Sequence, residues 1–202
     1  MIIEKISKNV AGFRLLNRII YERSFQTEKG GDVQVNSNDL ERYIKLYRKS
    51  VLGAALCYVR NTSDAEDIAQ DVFIKLYAYK GSFESDEHIK AWLVRCAINH
   101  SKDLLRSFWY RCSEPLEAAA EKVHYDTREG GGLPEAMSKL NPKVRIVLNL
   151  HYYEGYSAKE IAQIMHTTES AVLHRLSRGR KQLKDILINE RNEVKDGLQE
   201  SL

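Results

Sequence analysis

The stretch EIAQIMHTTESAVLHRLSRGR, residues 160–180, contains two amphipathic patterns separated by a tight corner at His166. Just before it, Ser157 and Glu160 have the spacing of a capping box, which predicts the start of a helix. The inner positions of the second helix are Val172, Leu176, Gly179 and Leu183. A short helix, a tight turn and a longer helix is the order of a DNA-reading helix-turn-helix, although a buried helical hairpin would share it.

The outer face of the second helix is polar and basic. It offers Ser170, His174, Arg175, Arg178 and Lys181. Lysine and arginine neutralise phosphates, whereas serine, histidine and arginine at the leading end of a recognition helix read base edges. The pattern therefore predicts contact with duplex DNA. The corner is unusual, because a histidine in the left-handed conformation costs up to about 1 kcal/mol relative to glycine.

Helical periodicity runs through most of the chain, and strand signals are nearly absent, which predicts an all-α protein. Residues 111–133 lose the apolar periodicity and include three consecutive glycines, Gly130 to Gly132. We interpret this segment as a flexible linker between two small helical domains. After it, Asn141 and Pro142 form an N-cap with proline at the first helical position, which predicts a helix start in the second domain.

The first domain contains a helix with one apolar and one polar face. Ser63 and Glu66 have the spacing of a capping box at its start. The apolar stripe comprises Ala65, Ile68, Ala69, Val72, Phe73, Leu76 and Tyr77. The opposite face comprises Asp67, Gln70, Asp71, Ile74 and Lys75. Ile74 is a large apolar residue on this polar face, which indicates either a partner or a lone exposed side chain.

A long helix follows, and one of its faces carries a row that we call the basic stripe: Arg95, Asn99, Lys102 and Arg106. At 100° per residue these positions fall within about 60° of arc, facing away from the predicted core. Solvated faces usually mix charge signs, so the stripe favours nucleic-acid contact over plain solvation. Phe108, Trp109 and Tyr110 come next and would either stack on unpaired bases or plug the end of the core.

Composition and motifs argue against several classes of protein. The chain has 202 residues and three cysteines without a C-x-x-C pair, which indicates reduced thiols and no metal centre. No phosphate-binding loop, activated nucleophile or H-E-x-x-H motif is present, so we expect a binding protein without cofactor rather than an enzyme. Charges interrupt the N-terminus and the longest apolar run is short, so we expect a cytoplasmic protein.

Two segments together resemble a known family. DAEDIAQDVFIKLY (residues 64–77) and IKAWLVRCAINHSKDLLR (residues 89–106) resemble region 2 of a bacterial RNA polymerase sigma factor. The segment at residues 140–183 resembles region 4. With these two regions and a short linker, the chain is similar to the extracytoplasmic-function (ECF) group. The resemblance implies a region 2 helical bundle and a region 4 helix-turn-helix, joined by the linker.

The resemblance also implies roles for the residues above. The residues expected to bind the clamp coiled coil of the polymerase largest subunit are Asp67, Gln70, Asp71 and Ile74. Those expected at the melted −10 element are Lys90, Arg95, Asn99, Lys102 and Arg106. Those expected at the −35 element are Ser170, Ala171, His174, Arg175, Arg178 and Lys181. Further implied partners are the flap region of the polymerase and an anti-sigma protein, either soluble or membrane-anchored.

The resemblance divides the chain into five segments: an N-terminal extension at 1–37, region 2 at 38–110, the linker at 111–133, region 4 at 134–188 and a tail at 189–202. Three positions depart from the family pattern. His166 replaces the usual turn glycine, Ala171 a small threonine and His174 a common serine. We therefore expect an individual −35 specificity. The alternative function is a helix-turn-helix regulator that binds duplex DNA without acting as a polymerase subunit.

Overall fold

The computed structural model describes residues 37–59, 61–111 and 133–199 of the chain. The described part folds into seven helices: α1 (Ser37–Leu56), α2 (Thr62–Tyr77), α3 (Asp86–Arg111), α4 (Leu133–Ser138), α5 (Pro142–Tyr152), α6 (Ala158–Met165) and α7 (Glu169–Gln199). This confirms the all-α prediction. The N-terminal extension, apart from its last residue Ser37 at the start of α1, and nearly all of the predicted linker lie outside the described residues.

Helices α1, α2 and α3 pack against one another and form the first bundle. The apolar stripe of α2 is buried as predicted at Ala65, Ile68, Ala69, Val72, Phe73 and Leu76. Tyr77 is the exception, since it is 56% exposed. It is the last residue of α2, and its side chain lines an open groove beside Ile74 instead of entering the core.

The predicted capping box at Ser63 is wrong. Helix α2 begins at Thr62, and its N-cap is Asn61, whose side-chain Oδ1 accepts a hydrogen bond from the Asp64 backbone N–H at 2.7 Å. The carboxylate of Glu66 binds the Arg48 guanidinium of α1 instead, with both oxygens within hydrogen-bond distance. Asparagine is as good an N-cap as serine, and the pairing with Arg48 is long-range, so local spacing alone misplaced the helix start.

The remaining helices form the second bundle, in which α7 packs against α4, α5 and α6. Both predicted caps are confirmed. The Asn141 side chain accepts the Lys143 N–H, and Ser157 and Glu160 form a complete capping box. The inner residues Val172, Leu176 and Gly179 of α7 are buried as predicted. Helix α7 continues to Gln199, beyond the predicted end of region 4 at residue 188.

Gly179 allows α5 and α7 to approach closely. A Cβ atom at this position would stand 2.7 Å from Val144 Cγ1 and 2.9 Å from Leu148 Cδ1. Both neighbours are core residues of α5, which are 6% and 2% exposed. The glycine therefore sets the distance between the two helices that frame the second bundle.

The two bundles are in contact, because α3 packs against α6 and α1 packs against α5. Arg145 of α5 lies near this contact and is only 1% exposed. Its guanidinium donates to four main-chain oxygens, those of Met137, Ser138, Leu140 and, across the contact at 3.3 Å, Cys57. Carbonyls near the ends of helices carry negative partial charge, so they can hold a buried cation. The sequence predicted neither the contact nor the buried arginine.

Candidate nucleic-acid and partner interfaces

A cleft of about 630 Å³ lies on the second bundle at the N-terminal turns of α5 and α7. We call it the basic cleft. It brings together five of the six residues predicted for the −35 element, namely Ser170, Ala171, His174, Arg175 and Arg178. Lys181 is exposed on α7 but does not line the cleft. The cleft also includes Asn141, Lys143, Thr168 and Gln182, which sequence reasoning missed.

Hydrogen bonds at two helix caps fix the first turns of the helices that border the cleft. Asn141 Oδ1 accepts the Lys143 N–H at 3.0 Å, and Thr168 Oγ1 accepts the Ala171 N–H at 3.2 Å. The first turns of α5 and α7 therefore border the same space. The N-terminus of a helix attracts anions through its dipole and its remaining N–H groups. Together with the lysine and arginine side chains, this geometry suits a phosphate backbone.

The corner between α6 and α7 has the left-handed conformation that the sequence indicated. His166 has φ 49° and ψ 58°, and its backbone N–H is donated to the main-chain oxygens of Ala162 and Gln163. It is the only residue other than glycine with positive φ among those that the structure describes. The histidine thus terminates α6 and turns the chain into α7, as a glycine does in a C-terminal cap.

An apolar groove of about 350 Å³ runs between α1 and α2 on the first bundle. It is lined by Leu40, Ile44, Arg48, Glu66, Ala69, Gln70, Phe73, Ile74 and Tyr77. Two of the four predicted polymerase-binding residues, Gln70 and Ile74, lie in it, and Ile74 is 65% exposed. Asp67 and Asp71 are exposed outside the groove, and Asp71 Oδ2 lies 3.6 Å from His100 Nε2.

The basic stripe is not uniformly exposed, contrary to the sequence-based expectation. Arg95 is 2% exposed and lies against the second bundle. Its Nη2 atom donates to the Gln163 main-chain oxygen at 2.9 Å and contacts His166 Nε2. The helical periodicity correctly predicted that Arg95 faces away from the core of its own bundle. It could not show that α6 covers the same face.

Lys90 is engaged in the same contact between the bundles. Its Nζ atom lies 2.8 Å from Glu154 Oε2, and the two side chains are 24% and 12% exposed. Ser50 Oγ donates to the same carboxylate oxygen at 2.7 Å. The chain segment that follows α5 is thereby fixed to both α1 and α3.

The rest of the stripe remains closer to solvent. Lys102 is partly buried with its ammonium over the Tyr58 ring, and burial and the nearby Arg106, Lys143 and Arg175 lower its pKa. Arg106 is exposed and lies 3.3 Å from Asp103 Oδ1. Asn99 is partly exposed. The side chains of Phe108, Trp109 and Tyr110 lie outside the described part, so base stacking and a core plug both stay predictions.

The pKa of His166 lies below its ordinary value. Burial is the largest cause, followed by the positive charges of Arg95 and Lys102. A neutral imidazole can accept a hydrogen bond at Nε2, as the contact with the Arg95 guanidinium requires. Among the residues with described side chains, no group of three or more His, Cys, Asp or Glu is arranged to hold a metal ion. Within the described helices, none is long and apolar enough to cross a membrane.

Comparison with known proteins agrees with the two bundles. Residues 43–109 match the family model for Sigma-70 region 2, and residues 132–183 match that for Sigma-70, region 4. The chain is 29% identical over 179 residues to the ECF RNA polymerase sigma factor SigW of Bacillus subtilis, a match that covers 76% of this chain and 95% of SigW. It is 27% identical over 160 residues to the probable RNA polymerase sigma factor RfaY of Xanthomonas campestris, covering 73% of this chain and 40% of that protein.

The fold is also found among solved structures. The sigma factor RpoE of Bartonella quintana, in complex with the anti-sigma factor NepR, aligns with a TM-score of 0.60 at 22% identity, covering 74% of this chain and 97% of that one. The two family-model matches, together with the all-α fold, define a protein with sigma regions 2 and 4. The chain belongs to the sigma-70 family and is a promoter-directing RNA polymerase sigma factor of the ECF type.

Proposed function

We propose that the basic cleft binds the duplex −35 element and that the apolar groove binds core RNA polymerase. The observation that carries this proposal is the basic cleft, where two helix N-terminal turns and the predicted recognition residues border one space. Polymerase supplies the chemistry of transcription, and this chain acts as a non-enzymatic binding subunit in the cytoplasm.

At the −35 element, α7 enters the major groove with its N-terminal turns leading. Ser170, His174 and Arg175 then read base edges, because their side chains follow the start of the helix. Lys143 and Arg178 contact phosphates on either side and fix the register. Ala171 is small enough for close approach and offers a methyl group for a thymine methyl.

At the polymerase, the clamp coiled coil of the largest subunit docks in the apolar groove. Ile74 and Tyr77 are the exposed anchors, and they are 65% and 56% exposed. Leu40 and Ile44 form the opposite wall of the groove. The exposed carboxylates of Asp67 and Asp71 flank this surface and would pair with basic side chains at the rim. This pattern of an apolar centre with a polar rim is typical of protein interfaces.

At the −10 element, the basic stripe and Lys90 bind the melted strand. Lys102 and Arg106 supply positive charge for phosphates, and Asn99 supplies an amide that reads a base edge. Lys90 and Arg95 belong to the same site but are covered by the second bundle in this structure. They join it only after the bundles separate.

We infer two further partners. The second bundle would bind the flap region of polymerase, which sets the distance between the −35 and −10 contacts. An anti-sigma protein would hold the chain inactive. The sigma factor RpoE of Bartonella quintana, which shares the fold, forms a complex with the anti-sigma factor NepR. The similarity of fold supports the second inference without identifying which protein binds.

Footprinting with and without polymerase tests the proposed function. The chain with purified core polymerase should protect both the −35 and −10 elements of a promoter and direct transcription from it. The matched pair is Arg178→Ala, inside the cleft, and Lys184→Ala, an exposed lysine of the same helix outside it. Arg178→Ala should weaken −35 protection, and Lys184→Ala should retain it. Specific protection of duplex DNA by the chain alone, with no effect of polymerase, would contradict the proposal and favour a conventional regulator.

A further inference from the structure

We propose that His166 and Arg95 form a proton-sensitive latch between the two bundles, which holds the chain closed over part of its own basic stripe at neutral pH and releases it in mild acid. The inference rests on the proposed role of the stripe in binding the −10 element. It goes beyond that role, because it makes access to the stripe depend on the conformation of the chain alone.

Arg95 binds the second bundle at the C-terminus of α6. The Gln163 oxygen that it reaches, at 2.9 Å, lies in the last turn of this helix. This oxygen also accepts the His166 backbone N–H. Carbonyls at the C-terminus of a helix carry the negative end of its dipole, so they attract the guanidinium from the neighbouring bundle. This contact helps to stabilise an arginine that is only 2% exposed.

His166 supplies the second half of the latch through its ring. The Nε2 atom contacts Arg95 Nη2, so the imidazole must present a lone pair there. Protonation places a hydrogen and a positive charge at Nε2, and the contact becomes repulsive. The residue as a whole is exposed, so protons from solvent reach the ring without prior opening.

The charges around this corner strengthen the effect. From α3, the groups that act on His166 are Arg95 and Lys102, both cations. From α5 and α7, Lys143 and Arg175 act on Lys102 and extend the positive field. On α6 itself, Glu160 is bound to Ser157 at the opposite end of the helix. The acid of α7 next to the corner is Glu169, which is exposed.

The direction of the pH dependence follows from the lowered pKa of His166 in the closed form. A histidine whose pKa is depressed by a contact stabilises that contact when it is neutral. The closed form is therefore fully stabilised above the ordinary histidine value of 6.5 and loses this stabilisation as the pH falls below it. The other contacts between the bundles include Lys90 with Glu154, and Arg145 with the Cys57 carbonyl. The His166 variants described below separate the latch from any response of these other contacts.

Small-angle X-ray scattering of the full chain tests the latch directly. At constant salt, the radius of gyration should increase between about pH 7.5 and about pH 5.5, the range in which histidine changes charge. His166→Gln keeps an uncharged acceptor for Arg95 and should stay closed at both pH values. His166→Gly removes the acceptor and should be open at both. The control is His100→Gln, since His100 pairs within the first bundle with Asp71, and it should respond to pH as the unsubstituted chain does.

The latch is overturned if the unsubstituted chain has one radius at both pH values, or if the His166 variants respond to pH as it does. Circular dichroism should show the same helix content in all variants, so that unfolding is not mistaken for opening.

A second experiment uses fluorescence anisotropy with a labelled single strand carrying the −10 sequence of a promoter that the chain uses. At about pH 7.5, His166→Gly should bind this strand several-fold more tightly than His166→Gln. If scattering shows the expected opening and the two affinities agree, the latch stands and the proposed −10 role of the covered residues fails.

Discussion

The Arg95 guanidinium of the first bundle donates a hydrogen bond across the bundle boundary to the main-chain oxygen of Gln163, 2.9 Å away in the last turn of α6. The donor belongs to the basic stripe, which the family resemblance predicts to lie at the −10 element. The acceptor belongs to the first helix of the predicted helix-turn-helix. The two bundles are therefore joined through a side chain that we propose to contact the −10 element. This relationship links how the chain is held together to how it would engage a promoter.

Replacing Gly179 by alanine should destabilise the protein. The new methyl group would stand 2.7 Å from Val144 Cγ1 and 2.9 Å from Leu148 Cδ1, both inside the core. Such overpacking costs about 1–3 kcal/mol in the free energy of unfolding, measured by urea denaturation. Gly53→Ala is the control, because its nearest described neighbour lies at 3.7 Å and alanine favours a helix. Equal stability of the two variants would show that α5 and α7 do not approach as closely as described.

Replacing Arg145 by methionine should also lower the free energy of unfolding, by about 1–3 kcal/mol, because it leaves buried acceptors unsatisfied. The change leaves the oxygens of Met137, Ser138 and Leu140 without the donor that the structure gives them. Lys45→Met is the comparison, since Lys45 is 73% exposed in a surface pair with Glu41. This change should lower the free energy of unfolding by less than about 1 kcal/mol. Thermal or urea unfolding that is unchanged by Arg145→Met would mean that the buried guanidinium contributes nothing.

Replacing Ile74 by glutamate should weaken binding to core polymerase by at least about tenfold, because it puts a charge among the apolar residues that line the groove. Leu46→Glu is the matched control. Leu46 is similarly exposed, 53% against 65%, but does not line the groove. Affinities can be measured by fluorescence anisotropy of a labelled chain titrated with core enzyme. Equal losses for the two variants would place the docking surface elsewhere.

Replacing Lys143 by alanine should weaken binding to duplexes of any sequence in the assembled polymerase complex. The lysine lines the basic cleft at the start of α5, and a phosphate contact of this kind contributes affinity without sequence discrimination. The slope of log affinity against log salt should fall by about 1. His174→Ala should instead change the preference among −35 sequences. If Lys143→Ala weakened binding to some −35 sequences more than to others, Lys143 would be a base-reading residue and not a phosphate contact.

Local patterns predicted much of the fold, because caps and apolar stripes are encoded within a few residues. Ser157 with Glu160 and the cap at Asn141 appear as predicted. The start of α2 was misplaced because Asn61 and Ser63 are both good caps, and the choice depends on where Glu66 finds its partner. Contacts between distant segments decide which of two possible caps begins a helix, and the local spacing of residues carries no information about those contacts.

The candidate sites show the same limit. Periodicity grouped the outer-face residues of α7 that we predicted to contact DNA, and the structure finds all of them except Lys181 in one cleft. It could not add Lys143, since that requires knowing that the starts of α5 and α7 are adjacent. Nor could it reveal that Arg95 and Lys90 are covered, because their partners are 68 and 64 residues away in sequence. The family resemblance supplied the partners, which no local pattern of this chain identifies.

Runoff transcription with purified core polymerase on a fragmented genomic library tests whether this chain directs polymerase to promoters. We expect discrete transcripts that require the chain, share −35 and −10 sequences, and are lost with Ile74→Glu but kept with Leu46→Glu. The same transcripts with and without the chain, or none with it, would show that the chain does not direct polymerase to promoters.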